Sequence, residues 1–171
     1  FLSALSGVLL LALGMSPSRA EPTAIAAFVG TFTGIGVAES YDDIYAPETV
    51  RDLDVVIAAR GPDFSVTWTT VVRSVGGKAK RKTRTLSFAS TGVGSQYRND
   101  VLDDPFGDGL AWAGIEEQTL SVFVLNIDAK GGYQLQRYAR TLTGLGMDLA
   151  FTRKVDGEDL RVVKAKLVRS R

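Results

Sequence analysis

The side chains of this sequence that could do chemistry are arginines, carboxylates and aromatic rings, because it contains neither histidine nor cysteine. The absence of histidine excludes Ser-His-Asp and Cys-His catalysis, imidazole metal sites and a general base that titrates near neutrality without perturbation. The absence of cysteine excludes disulfides, thiolate nucleophiles and thiolate zinc sites. An enzyme would have to use tyrosine, arginine or carboxylates, and no spacing in the sequence points to such a site. We therefore expect no catalytic residue, no metal and no cofactor, and a protein that is not an enzyme.

Arginine and aromatic side chains share one face of the predicted strands, the face that we assign below to the interior. A guanidinium buried without a partner is costly, so arginines on an interior face predict a bound carboxylate or phosphate that accepts their hydrogen bonds. The alternative is that they lie at the rims, stack on Trp68 or Tyr133 and reach water. The rim suits Arg153 and Arg161, which flank a predicted turn, whereas Arg137 lies in mid-strand and leaves both interpretations open. The predicted ligand-binding residues are Trp68, Arg84, Phe88, Phe123, Tyr133, Arg137, Phe151 and Arg153.

Three charged segments lie between the predicted strands or at their ends. Residues 78–84, KAKRKTR, form the densest basic run. We interpret this run as a solvated hairpin tip, with contact to an anionic group at a barrel mouth as the alternative. Residues 98–109 carry four carboxylates, for which we predict a solvated loop, with Ca²⁺ binding as the alternative. Residues 41–45, YDDIY, are predicted to be a surface loop, with a lid as the alternative.

Short β-rich runs alternate with turn-forming residues along the whole chain after residue 26. Short turns join antiparallel neighbours, and closure of a long meander removes its exposed edges. We therefore predict an all-β fold, an antiparallel up-and-down meander of about 8–10 strands closed into a barrel. The predicted strands are 27–38, 52–60, 64–73, 80–89, 93–98, 110–116, 120–128, 133–141, 146–154 and 160–169.

Hairpin loops in the second half predict which side chains share a face. We assign the common three-residue loop that ends in glycine to each of three hairpins. The resulting registers pair Phe123 with Arg137, Arg137 with Leu149 and Leu149 with Val163. Apolar groups then collect on one face, so the odd-numbered residues from 123 to 167 are predicted to point inward. The three loops are residues 129–131, 142–144 and 155–157.

A loop at residues 75–77 produces the same kind of sorting in the first half. It pairs Phe64 with Phe88 and Trp68 with Arg84 on the interior face, while serines and threonines pair on the other face. A ladder of hydroxyl groups suits a solvated outer wall. A membrane barrel would place its apolar side chains outward, so the pattern favours a soluble barrel.

The first twenty residues differ in composition from the rest. An apolar run is followed by Ser18-Arg19-Ala20, the small-residue pattern of a secretory cleavage site. We expect residues 1–20 to be a signal peptide and residues 21–171 to be a single domain, periplasmic or secreted. The alternative is an N-terminal helix or membrane anchor, although the apolar run is shorter than the roughly 20 residues that a span needs. N-terminal sequencing of the exported protein should begin at Glu21.

Export would also remove one positive charge, Arg19, and leave 19 basic and 19 acidic residues. A neutral chain is a poor candidate for electrostatic binding to nucleic acid. We therefore expect no nucleic-acid partner. Because the apolar run lies within residues 1–20, we also expect no membrane span in the mature chain.

The opening strand resembles that of the lipocalin and calycin superfamily. Gly30-Thr31-Phe32 is similar to its G-x-W motif, with Phe32 at the tryptophan position. The resemblance implies a closed calycin-like barrel that holds one small apolar ligand. It also implies that an arginine from a late strand, Arg153 or Arg161, packs over the ring of Phe32.

The function predicted from these features is binding of a small apolar or anionic amphiphilic molecule in the barrel interior. The alternative is a protein-interaction module, such as an inhibitor or envelope-assembly factor, that acts through its loops around a filled core. The interior volume distinguishes the two, because a ligand pocket needs roughly 300 Å³ or more.

Overall fold

Ten antiparallel strands form a closed barrel in a computed structural model, which describes residues 24–41, 48–73 and 79–170. Each strand pairs with its neighbours in the chain, and β1 closes the barrel by pairing with β10. The predicted meander and its closure are confirmed. The strands are β1 (Gly30–Ser40), β2 (Glu48–Arg60), β3 (Asp63–Arg73), β4 (Ala79–Ser90), β5 (Gln96–Asp104), β6 (Gly109–Glu116), β7 (Thr119–Ile127), β8 (Tyr133–Leu142), β9 (Gly146–Val155) and β10 (Glu158–Arg169).

Several sequence predictions fall outside the described residues. They are the signal peptide at 1–20, the loop at 75–77 and most of the surface segment at 41–45. Within the described part of the chain, no helix combines the length and apolar character needed to cross a membrane.

Aromatic side chains fill one end of the barrel. A short 3₁₀ helix, Ile25–Phe28, precedes β1 and buries Ile25 and Phe28. Phe32, Phe64 and Phe88 are also fully buried there, and the rings of Phe64 and Phe88 stack at 5.1 Å. The opposite end of the barrel, where β1 and β3 end, is open.

Arg169 covers the ring of Phe32 at the filled end. Its Cζ lies 4.6 Å from the ring centroid, and its guanidinium donates hydrogen bonds to the carbonyl oxygens of Ala27, at 3.1 Å, and Val29. The expectation that Arg153 or Arg161 packs on Phe32 is wrong. Phe32 pairs with Arg169 across the β1–β10 ladder, whereas those two arginines lie at the open end.

The first-half register is confirmed. Phe64 pairs with Phe88 and Trp68 with Arg84. The predicted hydroxyl ladder is present on the same pair of strands, where Oγ1 atoms lie 2.8 Å apart in both Thr67–Thr85 and Thr69–Thr83.

The β8–β9 register differs from the prediction, and this difference reverses a face. Leu142 pairs with Met147, so the connection is longer than residues 142–144 and Arg137 pairs with Thr152 instead of Leu149. The observed β8–β9 pairing is shifted by three positions from the predicted pairing. A shift by an odd number of residues moves every side chain of a strand to the other face of the sheet. The predicted β7–β8 pairing of Phe123 with Arg137 is correct. The inward and outward faces are therefore exchanged on both strands, relative to the prediction.

The β9–β10 register is displaced by two positions. A two-residue turn, Asp156-Gly157, with positive φ at both residues replaces the predicted three-residue loop. An irregularity between Asp159 and Arg161 adds one residue, so Leu149 pairs with Ala165 rather than Val163. Because the net displacement is even, the odd-numbered residues of β9 and β10 face inward as predicted.

Strand β5 runs through the predicted acidic loop. The strand reaches Asp104, and only residues 105–108 form a turn. Asn99 supports this irregular strand, because its Nδ2 donates to the Ser87 carbonyl at 2.6 Å and its Oδ1 accepts from the Leu102 amide at 2.6 Å. The bond to Ser87 thus joins β5 to β4 through a side chain, and the bond from Leu102 lies within β5.

Candidate ligand-binding cavity

A cavity of about 650 Å³ occupies the open half of the barrel. Its walls come from β2, β3, β4, β8, β9 and β10, whose alternate residues point inward. The volume lies within the range of small-molecule pockets and exceeds that of a filled barrel. The apolar part of the lining is Leu53, Val55, Trp68, Val72, Leu149, Phe151 and Val163.

Three aromatic rings cross the cavity in a row. The Tyr138 ring lies 4.8 Å from that of Trp68 and 4.7 Å from that of Phe151, in tilted contacts. The hydroxyl of Tyr138 donates to Oε1 of Gln136 at 2.9 Å. Burial raises the pKa of this hydroxyl, so Tyr138 is a neutral hydrogen-bonding group at physiological pH.

Arg140 lies at the floor of the cavity and is completely buried. Its Cζ lies 5.6 Å from the ring centroids of both Trp68 and Tyr138. Its Nε and Nη1 have no hydrogen-bond partner among the described residues. Burial lowers the pKa of Arg140 to about 10, so the group remains a cation at neutral pH.

A second set of cations surrounds the open end. Arg51 and Arg161 are held by neutral hydroxyl groups, Arg51 Nε donating to Thr49 Oγ1 at 3.3 Å and Arg161 Nε donating to Ser40 Oγ at 3.0 Å. Burial, followed by the positive charge of Arg161, lowers the pKa of Arg51. The cavity lining among the described residues has one carboxylate, Asp54, and seven cations, Arg51, Lys80, Lys82, Arg84, Arg140, Arg153 and Arg161.

Four of the eight residues predicted to bind a ligand line this cavity. They are Trp68, Arg84, Phe151 and Arg153. Arg84 lies 5.9 Å above the Trp68 ring, and Arg153 donates to Oε1 of Gln134 at 2.8 Å. Phe88 faces inward but is packed into the filled end, away from the cavity.

The other three predicted residues lie on the outer wall, so their inward assignment is wrong. Arg137 is exposed, its Cζ is 5.8 Å from the Phe123 ring and its Nη2 donates to Ser121 Oγ at 3.3 Å. Phe123 stacks on Trp112 at 4.9 Å, and Tyr133 is 38% exposed. The reversed face of β7 and β8 accounts for all three.

Among the cavity residues that the sequence prediction missed are Tyr138 and Arg140. Both alternate with Arg137 along β8, so the same error that placed Arg137 inside placed them outside. One available signal was a hydroxyl pair, because the β7–β8 register joins Thr119 and Thr141, whose Oγ1 atoms lie 2.9 Å apart. Paired hydroxyl groups indicated the outer wall in the first half of the chain. Applied to Thr119 and Thr141, the same criterion places the odd-numbered residues of β7 and β8 on the outer wall.

The basic run at 78–84 contributes to the cavity through alternate residues. Lys80, Lys82 and Arg84 line the cavity from β4, and the lysines are exposed at its mouth. Within the described ranges, no three acidic side chains are grouped closely enough to hold a metal ion, so nothing supports Ca²⁺ binding at residues 98–109.

Comparison with known proteins yields a similarity of fold, with a TM-score above 0.5. No protein-family model and no curated protein matches the sequence. A protein of unknown function from the DUF3598 family of Nostoc punctiforme superposes with a TM-score of 0.60 at 16% identity, over 92% of this chain and 53% of that chain. An S-type phycobiliprotein lyase from Guillardia theta has a TM-score of 0.38 at 9% identity, over 86% of this chain and 90% of that chain. This chain thus spans about half the length of the Nostoc protein, and the likeness concerns the barrel alone.

Proposed function

We propose that this protein is a calycin-like binding protein that holds a small anionic amphiphile in its cavity and does not convert it chemically. The observation that carries the proposal is Arg140, a buried cation at the cavity floor with two unpartnered guanidinium nitrogens. A buried guanidinium is stabilised when a carboxylate or phosphate accepts its hydrogen bonds. The aromatic row beside it provides the apolar surface that an amphiphile would cover.

Two further features support this function over the alternative. The interaction-module hypothesis assumes a filled core, whereas a cavity of about 650 Å³ lies open beside the filled end. The packing of Arg169 over Phe32 has the form that the calycin resemblance implies, with a different arginine. The export proposed from residues 1–20 would place the binding protein in the periplasm or outside the cell.

The test is titration calorimetry of the folded protein with dodecanoate, a single-headed anionic amphiphile. Arg140→Met should weaken dodecanoate binding by about ten-fold or more, because a hydrogen bond to a charged group contributes roughly 1.5–3 kcal/mol. Arg137→Met is the matched control, since it removes the same side chain from the opposite face of the same strand, and it should leave the affinity unchanged. Dodecanol, which is neutral, should bind both variants equally.

A result in which Arg140→Met is folded by circular dichroism and binds dodecanoate as tightly as the original protein would overturn the proposal. Failure of the original protein to bind either dodecanoate or dodecanedioate, which carries a second carboxylate at the other end of the chain, would overturn it equally.

A further inference from the structure

The cavity holds two groups of arginines at different depths. The floor group is Arg84 and Arg140, which lie within 6 Å of the Trp68 ring centroid, at 5.9 and 5.6 Å. The mouth group is Arg51 and Arg161, which are close enough for the charge of one to lower the pKa of the other. Each group could neutralise one anion. The positions of the two groups therefore indicate how many anionic groups the ligand carries and how far apart they lie.

The strand ladder on one side of the barrel sets the separation of the backbone positions that carry the two groups. Arg140 pairs with Leu149, and Leu149 pairs with Ala165. Arg161 lies four residues from Ala165 along β10, which corresponds to about 13 Å at the rise of an extended strand.

The ladder on the other side leads to the same separation. Trp68, whose ring contacts the Arg140 guanidinium, pairs with Val55. Arg51 lies four residues from Val55 along β2, again about 13 Å. Apolar side chains fill the interval between the two groups on these strands and on β9, namely Leu53, Val55, Leu149, Phe151 and Val163.

A single-headed amphiphile fits this arrangement poorly in either direction. With its head at Arg140, its tail would end among the mouth cations and displace their water; with its head at the mouth, its tail would leave Arg140 unpaired. Both outcomes bury charge without a partner, which is unfavourable. A second anionic group removes the conflict.

We propose that the ligand is an elongated dianion with an apolar centre, one anionic group bound by Arg140 and Arg84 at the floor and the other by Arg51 and Arg161 at the mouth. This inference rests on the proposed function and specifies its ligand class. The mouth group stays partly hydrated, which lowers the cost of bringing a second charge into the barrel.

The test compares three probes by titration calorimetry. Dodecanedioate carries two carboxylates at about the required separation, dodecanoate carries one on a chain of the same length, and hexanedioate carries two on a chain too short to reach both groups. Dodecanedioate should bind about ten-fold more tightly than dodecanoate, since a second charge-assisted contact is added, and hexanedioate should bind more weakly than either.

The double variant Arg51→Met/Arg161→Met identifies the mouth contact. It should reduce the advantage of dodecanedioate several-fold, since Lys80, Lys82 and Arg153 remain, and it should leave dodecanoate binding no weaker. The control is Arg98→Met/Arg137→Met, which removes two positive charges from exposed positions outside the cavity and should preserve the advantage. Circular dichroism establishes that each variant is folded.

The outcomes separate this inference from the proposed function. Two results would contradict the dianion proposal and leave the binding function standing, provided that dodecanoate binding depends on Arg140. In the first, dodecanedioate binds no more tightly than dodecanoate. In the second, dodecanedioate keeps its full advantage in the Arg51/Arg161 variant. If dodecanoate binding does not depend on Arg140, or no probe binds, both are wrong.

Discussion

Packing against aromatic rings surrounds Arg140, and two of its three guanidinium nitrogens have no hydrogen-bond partner among the described residues. The ring faces of Trp68 and Tyr138 attract its charge, at 5.6 Å each, and such contacts contribute roughly 0.5–2 kcal/mol. They do not replace the hydrogen bonds that water offered Nε and Nη1 in the unfolded chain. The residue therefore lowers the stability of the empty protein, a cost that an anionic ligand would offset on binding.

Replacement of Arg140 by methionine should stabilise the empty protein. An apolar side chain of similar reach removes the unpaired buried cation, and changes of this kind add roughly 1–3 kcal/mol to the free energy of unfolding. Urea unfolding at neutral pH measures the change. Arg137→Met, on the solvated outer wall, should shift the free energy of unfolding by less than about 0.5 kcal/mol. A loss of stability in Arg140→Met alone would identify Arg140 as a structural strut.

The β1–β10 seam is the element pairing that closes the barrel, and glycine allows it to be tight. A Cβ on Gly34 would lie 2.1 Å from the carbonyl oxygen of Lys166 and 3.0 Å from the Cα of Leu167. Both obstacles are backbone atoms, which cannot turn aside as a side chain would. The two strands can therefore approach this closely only if position 34 has no side chain.

Gly34→Ala should destabilise the protein by about 1–3 kcal/mol, the usual cost of inserting atoms into a packed region. Gly144→Ala is the matched control, because its Cβ would meet nothing within 4 Å. That variant should be neutral or slightly stabilising, since alanine restricts the unfolded chain. Thermal unfolding followed by circular dichroism compares them. Equal melting temperatures for the two variants would mean that the seam can open to admit the methyl group.

The whole molecule separates its charges between the inside and the outside. The full chain carries 20 basic and 19 acidic residues, yet the described cavity lining has seven cations and one carboxylate. A near-neutral protein thus presents a strongly cationic interior, in which low-dielectric walls strengthen attraction to an anion. The two tryptophans are separated in the same way, Trp68 in the cavity and Trp112 on the outer wall against Phe123.

Ligand binding should therefore protect one tryptophan and not the other. Saturating dodecanoate should reduce quenching by acrylamide, a neutral quencher, in the Trp112→Phe variant, which retains Trp68. Quenching should be unchanged in the Trp68→Phe variant, which retains Trp112. Protection of Trp112 instead would place the binding site on the outer wall.

The fold and half of the predicted site followed from local pattern. Most strand positions were predicted within a few residues because alternation and turn residues act over short distances. The exception is β5, which was predicted at 93–98 and extends to Asp104. Trp68 and Arg84 were placed correctly because the register of the assumed loop also pairs Thr67 with Thr85 and Thr69 with Thr83, and these hydroxyl pairs suit an outer wall. Phe123 and Arg137 were misplaced because β7 and β8 carry apolar residues on both faces, and the assumed loop length, rather than the Thr119–Thr141 pair, was used to assign the inside.

By itself, the sequence determined a closed antiparallel meander with a cationic, aromatic interior, because these properties depend on composition and on alternation with a period of two. Tertiary structure decided which arginine points inward, since a β8–β9 connection longer than residues 142–144 exchanges Arg137 for Arg140. It also decided that one half of the barrel is filled while the other remains open, because that division depends on the combined volumes of side chains from strands far apart in the chain.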